Sequence, residues 1–191
     1  MKKNRLEAFS DGVLAIIITI MVLELKVPEG FEIEDLKSLA PKFLSYVLSF
    51  IYLAIYWNNH HHLMHTVTKI TSGILWANMN LLFWLSLIPF TTSWLGEHIT
   101  ECDPMSLYGF TLLMAGISYW VLTNRIIAAD GNDSLLLKAI GKDFKGKISV
   151  VLYLIALLSL QFIYWFAPII FVTVAIIWII PDKRIEKSIE H

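Results

Sequence analysis

The sequence predicts an all-α integral membrane protein with six transmembrane helices in one domain, residues 1–191. Three observations lead to this fold class. Hydrophobic residues make up 57% of the chain and the mean hydropathy is +0.64. Charged residues make up only 16%, whereas soluble domains carry about 25%. The hydrophobic residues also fall into six runs, and a run of about 20 residues is long enough to cross a bilayer as a helix.

The six predicted spans, in chain order, are 6–25, 43–63, 74–95, 105–128, 148–166 and 168–180. Pro168 separates the last two spans, because proline lacks an N–H and favours the first turn of a helix. The sixth span is short, and it could be tilted or extended by the residues before Pro168. The longest polar stretch, 130–147, is predicted to be a loop with a short amphipathic helix at 134–144.

The basic residues predict the orientation in the membrane. If the six spans are correct, both termini lie on the same side of the membrane. That side holds 12 of the 15 lysines and arginines, and the opposite side holds the other three. The smaller set is Lys26, Lys37 and Lys42. Positive charge favours the cytoplasmic side, so we expect both termini in the cytoplasm and the protein in the cell membrane.

Several classes of function lack their motifs. Cys102 is the single cysteine, so no intrachain disulfide can form. The sequence contains no G-x-S-x-G, no phosphate-binding glycine loop and no C-x-x-C, and we predict that the protein is not an enzyme and binds no nucleic acid and no cofactor. His61 and His65 share a helix face, but their segment has no acidic residue or cysteine, so we favour packing over a metal site.

The first predicted helix has two distinct faces. At about 100° per residue, seven side chains fall within about 60° of one line. This first-helix stripe consists of Arg5, Phe9, Gly12, Ile16, Thr19, Ile20 and Leu23. Asp11 lies on the other side, roughly 140° from Ile16. The stripe can face lipid, another helix or a symmetry axis, and the sequence pattern alone does not choose among them.

Asp11 needs polar partners, because a carboxylate inside a membrane helix is costly. Ser10 can join the same network. Partners at a similar depth lie at the end of the second span and the start of the third. These candidates are Trp57, Asn58, Asn59, His60, His61, His62, Trp76, Asn78 and Asn80.

Residues 5–12 read RLEAFSDG and have the form R-x-x-x-F-S-D. This motif resembles the signature of the lysosomal potassium channel family named transmembrane protein 175, most closely its single-repeat prokaryotic members. The segments YWNNHH at 56–61, LWAN at 75–78 and SLIPF at 86–90, with Gly96 and Glu97, are also similar to the family. The resemblance covers the first half of the chain; beyond about residue 100 it rests on the number of helices.

The resemblance implies a homotetramer in which the first helix of each six-helix subunit lines a central potassium-permeable pore. Ile16, Ile20 and Leu23 match the hydrophobic constriction that this family has instead of a T-V-G-Y-G filter, and Thr19 matches the layer associated with cation preference. The polar network expected to brace the first helix comprises Arg5, Ser10, Asp11, Asn58, His60, His61, Trp76 and Asn80.

The implied pore is physically reasonable, since rings of aliphatic side chains gate by dewetting and threonine hydroxyls can replace part of a hydration shell. We expect only a modest preference for K+ over Na+. The expected partners are copies of the same chain, monovalent cations and the lipid bilayer. Two alternatives stay open at this point: a secondary transporter coupled to protons through Asp11 and the histidines, and a metalloenzyme that uses the segment from His60 to His65.

Overall fold

The computed structural model describes residues 2–131, 134, 136–137 and 144–179. A short 3-10 helix, Ile33–Leu39, leads into the second of seven α-helices in this part of the chain. The α-helices are α1 (Lys3–Leu23), α2 (Ala40–His65), α3 (Ser72–Ser86), α4 (Ile88–Glu97), α5 (Cys102–Asp130), α6 (Phe144–Ser159) and α7 (Phe166–Ile179). The amphipathic helix predicted at 134–144 lies largely outside the described residues.

The inner face of α1 consists of residues spaced three or four apart, as one face of a helix requires. Its buried residues are Leu6, Ser10, Leu14, Ile17 and Met21. This face packs against α2, α3 and α4. The helix is therefore anchored along its whole length on one side only.

The third predicted span is divided into two helices, α3 and α4, at Leu87. Pro89 is the second residue of α4, and it cannot donate to the carbonyl four residues earlier. The hydrogen-bond ladder is therefore interrupted, although Ser72–Glu97 as a whole is long and apolar enough to cross a membrane. Counting α3 and α4 as one segment, the described residues contain six α-helical segments, which fits the prediction.

The boundary between the last two spans differs from the predicted one. Helix α6 ends at Ser159, and residues 160–165 form turns before α7 begins. The carbonyl of Ser159 accepts hydrogen bonds from the backbone N–H groups of Phe162 and Ile163, which closes this turn. Pro168 lies in the first turn of α7, where proline is tolerated, so it follows the break rather than causing it.

Four segments of the described chain meet the length and hydropathy expected of membrane spans: Lys3–Leu23, Ile33–His65, Ser72–Glu97 and Cys102–Asp130. Helices α6 and α7, of 16 and 14 residues, are shorter. They pack against each other, and α6 also packs against α5. The protein is accordingly an all-helical, multi-pass membrane protein.

Hydroxyl groups join the helices inside the bundle. Tyr52 of α2 donates to the carbonyl of Phe171 in α7 at 2.6 Å. Ser49 of α2 accepts from Thr92 of α4 at 2.7 Å and bonds to Tyr108 of α5 at 2.9 Å. Hydrogen bonds of this kind between helices stabilise packing in a bilayer, where burial of apolar surface contributes little.

Candidate functional site

The first-helix stripe lies on the surface of the chain rather than in the core of the helix bundle. The exposed fractions of Ile16, Ile20 and Leu23 are 59%, 42% and 76%. Thr19, Gly12 and the other stripe residues are exposed as well. An aliphatic surface of this kind does not face water alone, so another helix, a second copy of the chain or lipid must cover it.

The hydroxyl of Thr19 has a defined orientation. It donates to the carbonyl oxygens of Ala15 at 3.0 Å and Ile16 at 2.9 Å, within its own helix. Because its proton is used by the helix, its oxygen lone pairs remain available. The side chain can therefore accept a hydrogen bond or coordinate a cation on the exposed face.

A groove of 890 Å³ runs beside the C-terminal half of the stripe, between α1 and α4. Its apolar wall includes Ile16, Ile20, Pro89, Phe90 and Trp94, and Glu24, Lys26 and Glu97 line its rim near the end of α1. The rim is held by two contacts that link separate segments: Ser93 donates to Glu24 at 2.9 Å, and Lys42 forms a salt bridge with Glu97 at 2.9 Å.

A buried polar cluster connects α1, α2 and α3 near the start of α1. The amide nitrogen of Asn78 donates to Ser10 Oγ at 3.0 Å, and Ser10 donates to the carbonyl of Leu6 at 2.9 Å. His60 Nε2 lies 2.7 Å from Asn78 Oδ1. Since an amide oxygen only accepts, His60 carries its proton on Nε2.

Asp11 is separate from this cluster. Its Oδ1 accepts a hydrogen bond from the indole nitrogen of Trp57 at 3.0 Å, and the Trp57 ring stacks on His61 with centroids 6.1 Å apart. Ser10 and Asp11 are consecutive and therefore point about 100° apart on the helix. Only one of them can face α3, and in this protein it is Ser10.

The other residues of the predicted network lie elsewhere. Asn80 donates to Ser118 Oγ at 2.7 Å and so joins α3 to α5 rather than to α1. Trp76 and Arg5 are exposed, and Asn58 is half-buried. Within the part of the chain that the structure describes, no hydrogen bond links Arg5, Asn58 or Trp76 to Ser10 or Asp11.

Asn78 and Trp57 have a more central place than their position among nine candidate partners in the sequence predicts. They make the contacts with Ser10 and Asp11. A signal for Asn78 is visible in the sequence. It shares a helix face with Ile74, Leu81 and Leu85, and a polar residue on an apolar face needs a buried partner.

The sequence of this chain is similar to known ion channels of one family. Residues 5–89 match the family model described as endosomal/lysosomal potassium channel TMEM175. A potassium channel of Chryseobacterium sp. is 53% identical over 191 residues, which is the full length of both chains. The human endosomal/lysosomal proton channel TMEM175 is 35% identical over 99 residues, 46% of this chain and 19% of the human one.

A solved structure has the same fold. The crystal structure of a lysosomal potassium-selective channel TMEM175 homologue from Chamaesiphon minutus superposes with a TM-score of 0.80 at 30% sequence identity. The match covers 94% of this chain and 97% of that one, including the second half, where the sequence resemblance rested on helix count alone. This membrane protein therefore belongs to the TMEM175 family of ion channels.

Proposed function

We propose that the chain forms a cation channel, permeable to K+ and modestly selective for it over Na+, in which several copies of α1 surround one pathway. The observation that carries this proposal is the exposure of the first-helix stripe on a helix whose opposite face is fully packed. The names of the relatives support the choice of ion, since the full-length bacterial relative is a potassium channel.

In this proposal, the ion pathway lies between copies of the chain rather than inside a single copy. The centre of the bundle is filled by apolar side chains that solvent does not reach, such as Leu14, Leu53, Leu81 and Leu112. Ions cannot cross such a core, because a bare ion pays several kcal/mol or more for desolvation there. A closed ring of identical subunits would instead place one shared face at a symmetry axis, and we propose that the ring is a homotetramer.

In this arrangement the side chains of the first-helix stripe have two different roles. Ile16, Ile20 and Leu23 form apolar rings that exclude water when they are close together, so opening requires the rings to widen. Thr19 lies between the first two rings with its hydroxyl oxygen available, which supports a role in partly replacing the hydration shell. A hydroxyl is a neutral ligand and fits a modest preference among monovalent cations better than a strict one.

Charge at the outer rim supports cation entry. Glu24 and Glu97 border the groove beside the stripe, although Lys26 and Lys42 partly offset them. Carboxylates at the mouth of a narrow path raise the local concentration of cations. We place this rim outside the cell and both chain termini in the cytoplasm, on the distribution of basic residues.

The proposal is tested by reconstituting the purified chain into planar bilayers and recording the ionic current. We expect K+ current that rises with voltage and ion concentration without early saturation, and a reversal potential that indicates a small preference for K+ over Na+. Electrically silent exchange coupled to protons would contradict the proposal and would instead support a secondary transporter.

A further inference from the structure

We propose that His61 and His65 form a binding site for a divalent transition-metal ion at the end of α2. The two residues are four positions apart on one helix face, and both are exposed. Their Nε2 atoms lie 3.1 Å apart. The inference concerns binding at this pair and does not depend on what the protein conducts.

The ring arrangement favours a shared ligand. Two metal–nitrogen bonds of about 2.05 Å and a nitrogen separation of this size give an angle of roughly 100° at the ion, between octahedral and tetrahedral values. The two Nε2 atoms share a hydrogen bond, in which one ring donates its N–H and the other accepts. The rings meet edge-on, with centroids 4.4 Å apart and planes 79° apart, and a metal ion would take the place of the shared proton.

Imidazole is a suitable ligand for Zn2+, Ni2+ and Cu2+, and it does not suit Mg2+ or Ca2+. The described residues contain no group of three or more His, Cys, Asp or Glu that could hold a metal. Two imidazoles therefore supply the protein ligands, and water completes the coordination. The absence of an acid or cysteine near this pair favours packing when the sequence is taken alone, because the sequence does not give the separation of the two nitrogens.

The surroundings allow access and suggest a readout. Lys3 donates to the carbonyl of His65 at 2.8 Å, so its contact is with the backbone and does not involve the ring of His65. The ring of His61 has neighbours on both sides: it stacks on Trp57 and meets His62 edge-on, with centroids 5.7 Å apart. His62 is thus a matched control, a histidine in the same segment that does not belong to the His61–His65 pair.

The test uses the full chain purified without a polyhistidine tag. Calorimetric titration with ZnCl2 should give one ion per chain in the wild type. His61→Ala and His65→Ala should each lower the affinity by about tenfold or more, whereas His62→Ala should leave it unchanged. Because both ligands are exposed, the variants should elute from a sizing column like the wild type.

The second measurement identifies the ligands. With one equivalent of Cu2+, the electron paramagnetic resonance spectrum of the wild type should show hyperfine coupling to two imidazole nitrogens, and that of each single variant should show one. Absence of Zn2+ binding to the wild type, or binding to both single variants that is as strong as binding to the wild type, would overturn the proposal. Neither result would bear on conduction, which bilayer current measures separately.

Discussion

Asn78 of α3 donates a hydrogen bond to Ser10 of α1 at 3.0 Å, across a separation of 68 residues in the chain. The other end of the same amide accepts from His60, whose side chain is only 2% exposed. One amide thus holds three helices in register, and the inner face of α1 is attached at a fixed rotation. That rotation determines which residues of α1 point outward.

The first prediction concerns this amide. Asn78→Ala should lower the free energy of unfolding by about 1–3 kcal/mol, because it leaves the proton of His60 Nε2 without a buried acceptor. The measurement is thermal unfolding in detergent. Asn124→Ala is the control, since Asn124 is exposed and its one side-chain hydrogen bond to a described residue goes to the carbonyl of Trp120 in its own helix. Equal melting temperatures for the two variants would show that the amide does not hold the bundle.

The second prediction concerns Asp11 and Trp57. Asp11→Ala should reduce stability and assembly while leaving the K+/Na+ permeability ratio unchanged, because the carboxylate binds an indole on α2 and lies away from the stripe. Trp57→Phe should reproduce part of the loss, and the double variant should be less destabilised than the sum of the single variants. Strict additivity would mean that the hydrogen bond contributes nothing.

The third prediction tests the constriction. Ile16→Asn should raise basal K+ flux into liposomes several-fold, because a polar ring holds water where an apolar ring excludes it. Val22→Asn is the matched control, an exposed aliphatic residue of the same helix about 120° from Ile16. If Ile16→Asn leaves the flux unchanged, or if both substitutions raise it alike, Ile16 does not form the gate.

The fourth prediction tests Thr19. Thr19→Val keeps the shape of the side chain and removes the hydroxyl, so it should lower the K+/Na+ permeability ratio measured from reversal potentials. Thr19→Ser keeps the hydroxyl and should retain most of the preference. A ratio that is the same in Thr19→Val as in the wild type would remove this residue from the selectivity mechanism.

The fifth prediction tests the assembly. In a Cys102→Ala background, Ile16→Cys should form intersubunit disulfides on mild oxidation, and native mass spectrometry should give a mass of four chains. Leu158→Cys on α6 is the control, because Leu158 is exposed on a helix that packs against α5 and α7 and carries no part of the first-helix stripe. Equal crosslinking at both positions, or a monomeric mass, would contradict the proposed arrangement.

Much of the fold could be predicted from local properties of the chain. The membrane class and the six segments follow from hydropathy and length, because a bilayer requires long apolar helices. The outward direction of Ile16 relative to the inner face of α1 follows from helix periodicity. The positions of the helix ends were predicted less accurately. The break after Ser159 depends on turn hydrogen bonds rather than on Pro168, and the break at Leu87 interrupts a continuous apolar run.

The sequence by itself determined that this is a membrane protein, that α1 has two unlike faces and that its motif is that of one channel family. Only the tertiary structure decided which polar groups meet. Residues 10 and 11 of α1 and residues 76, 78 and 80 of α3 could each reach a neighbouring helix in some rotation of their own helix. The packing of apolar side chains selects one rotation for each helix, which pairs Ser10 with Asn78, Asp11 with Trp57 and Asn80 with Ser118.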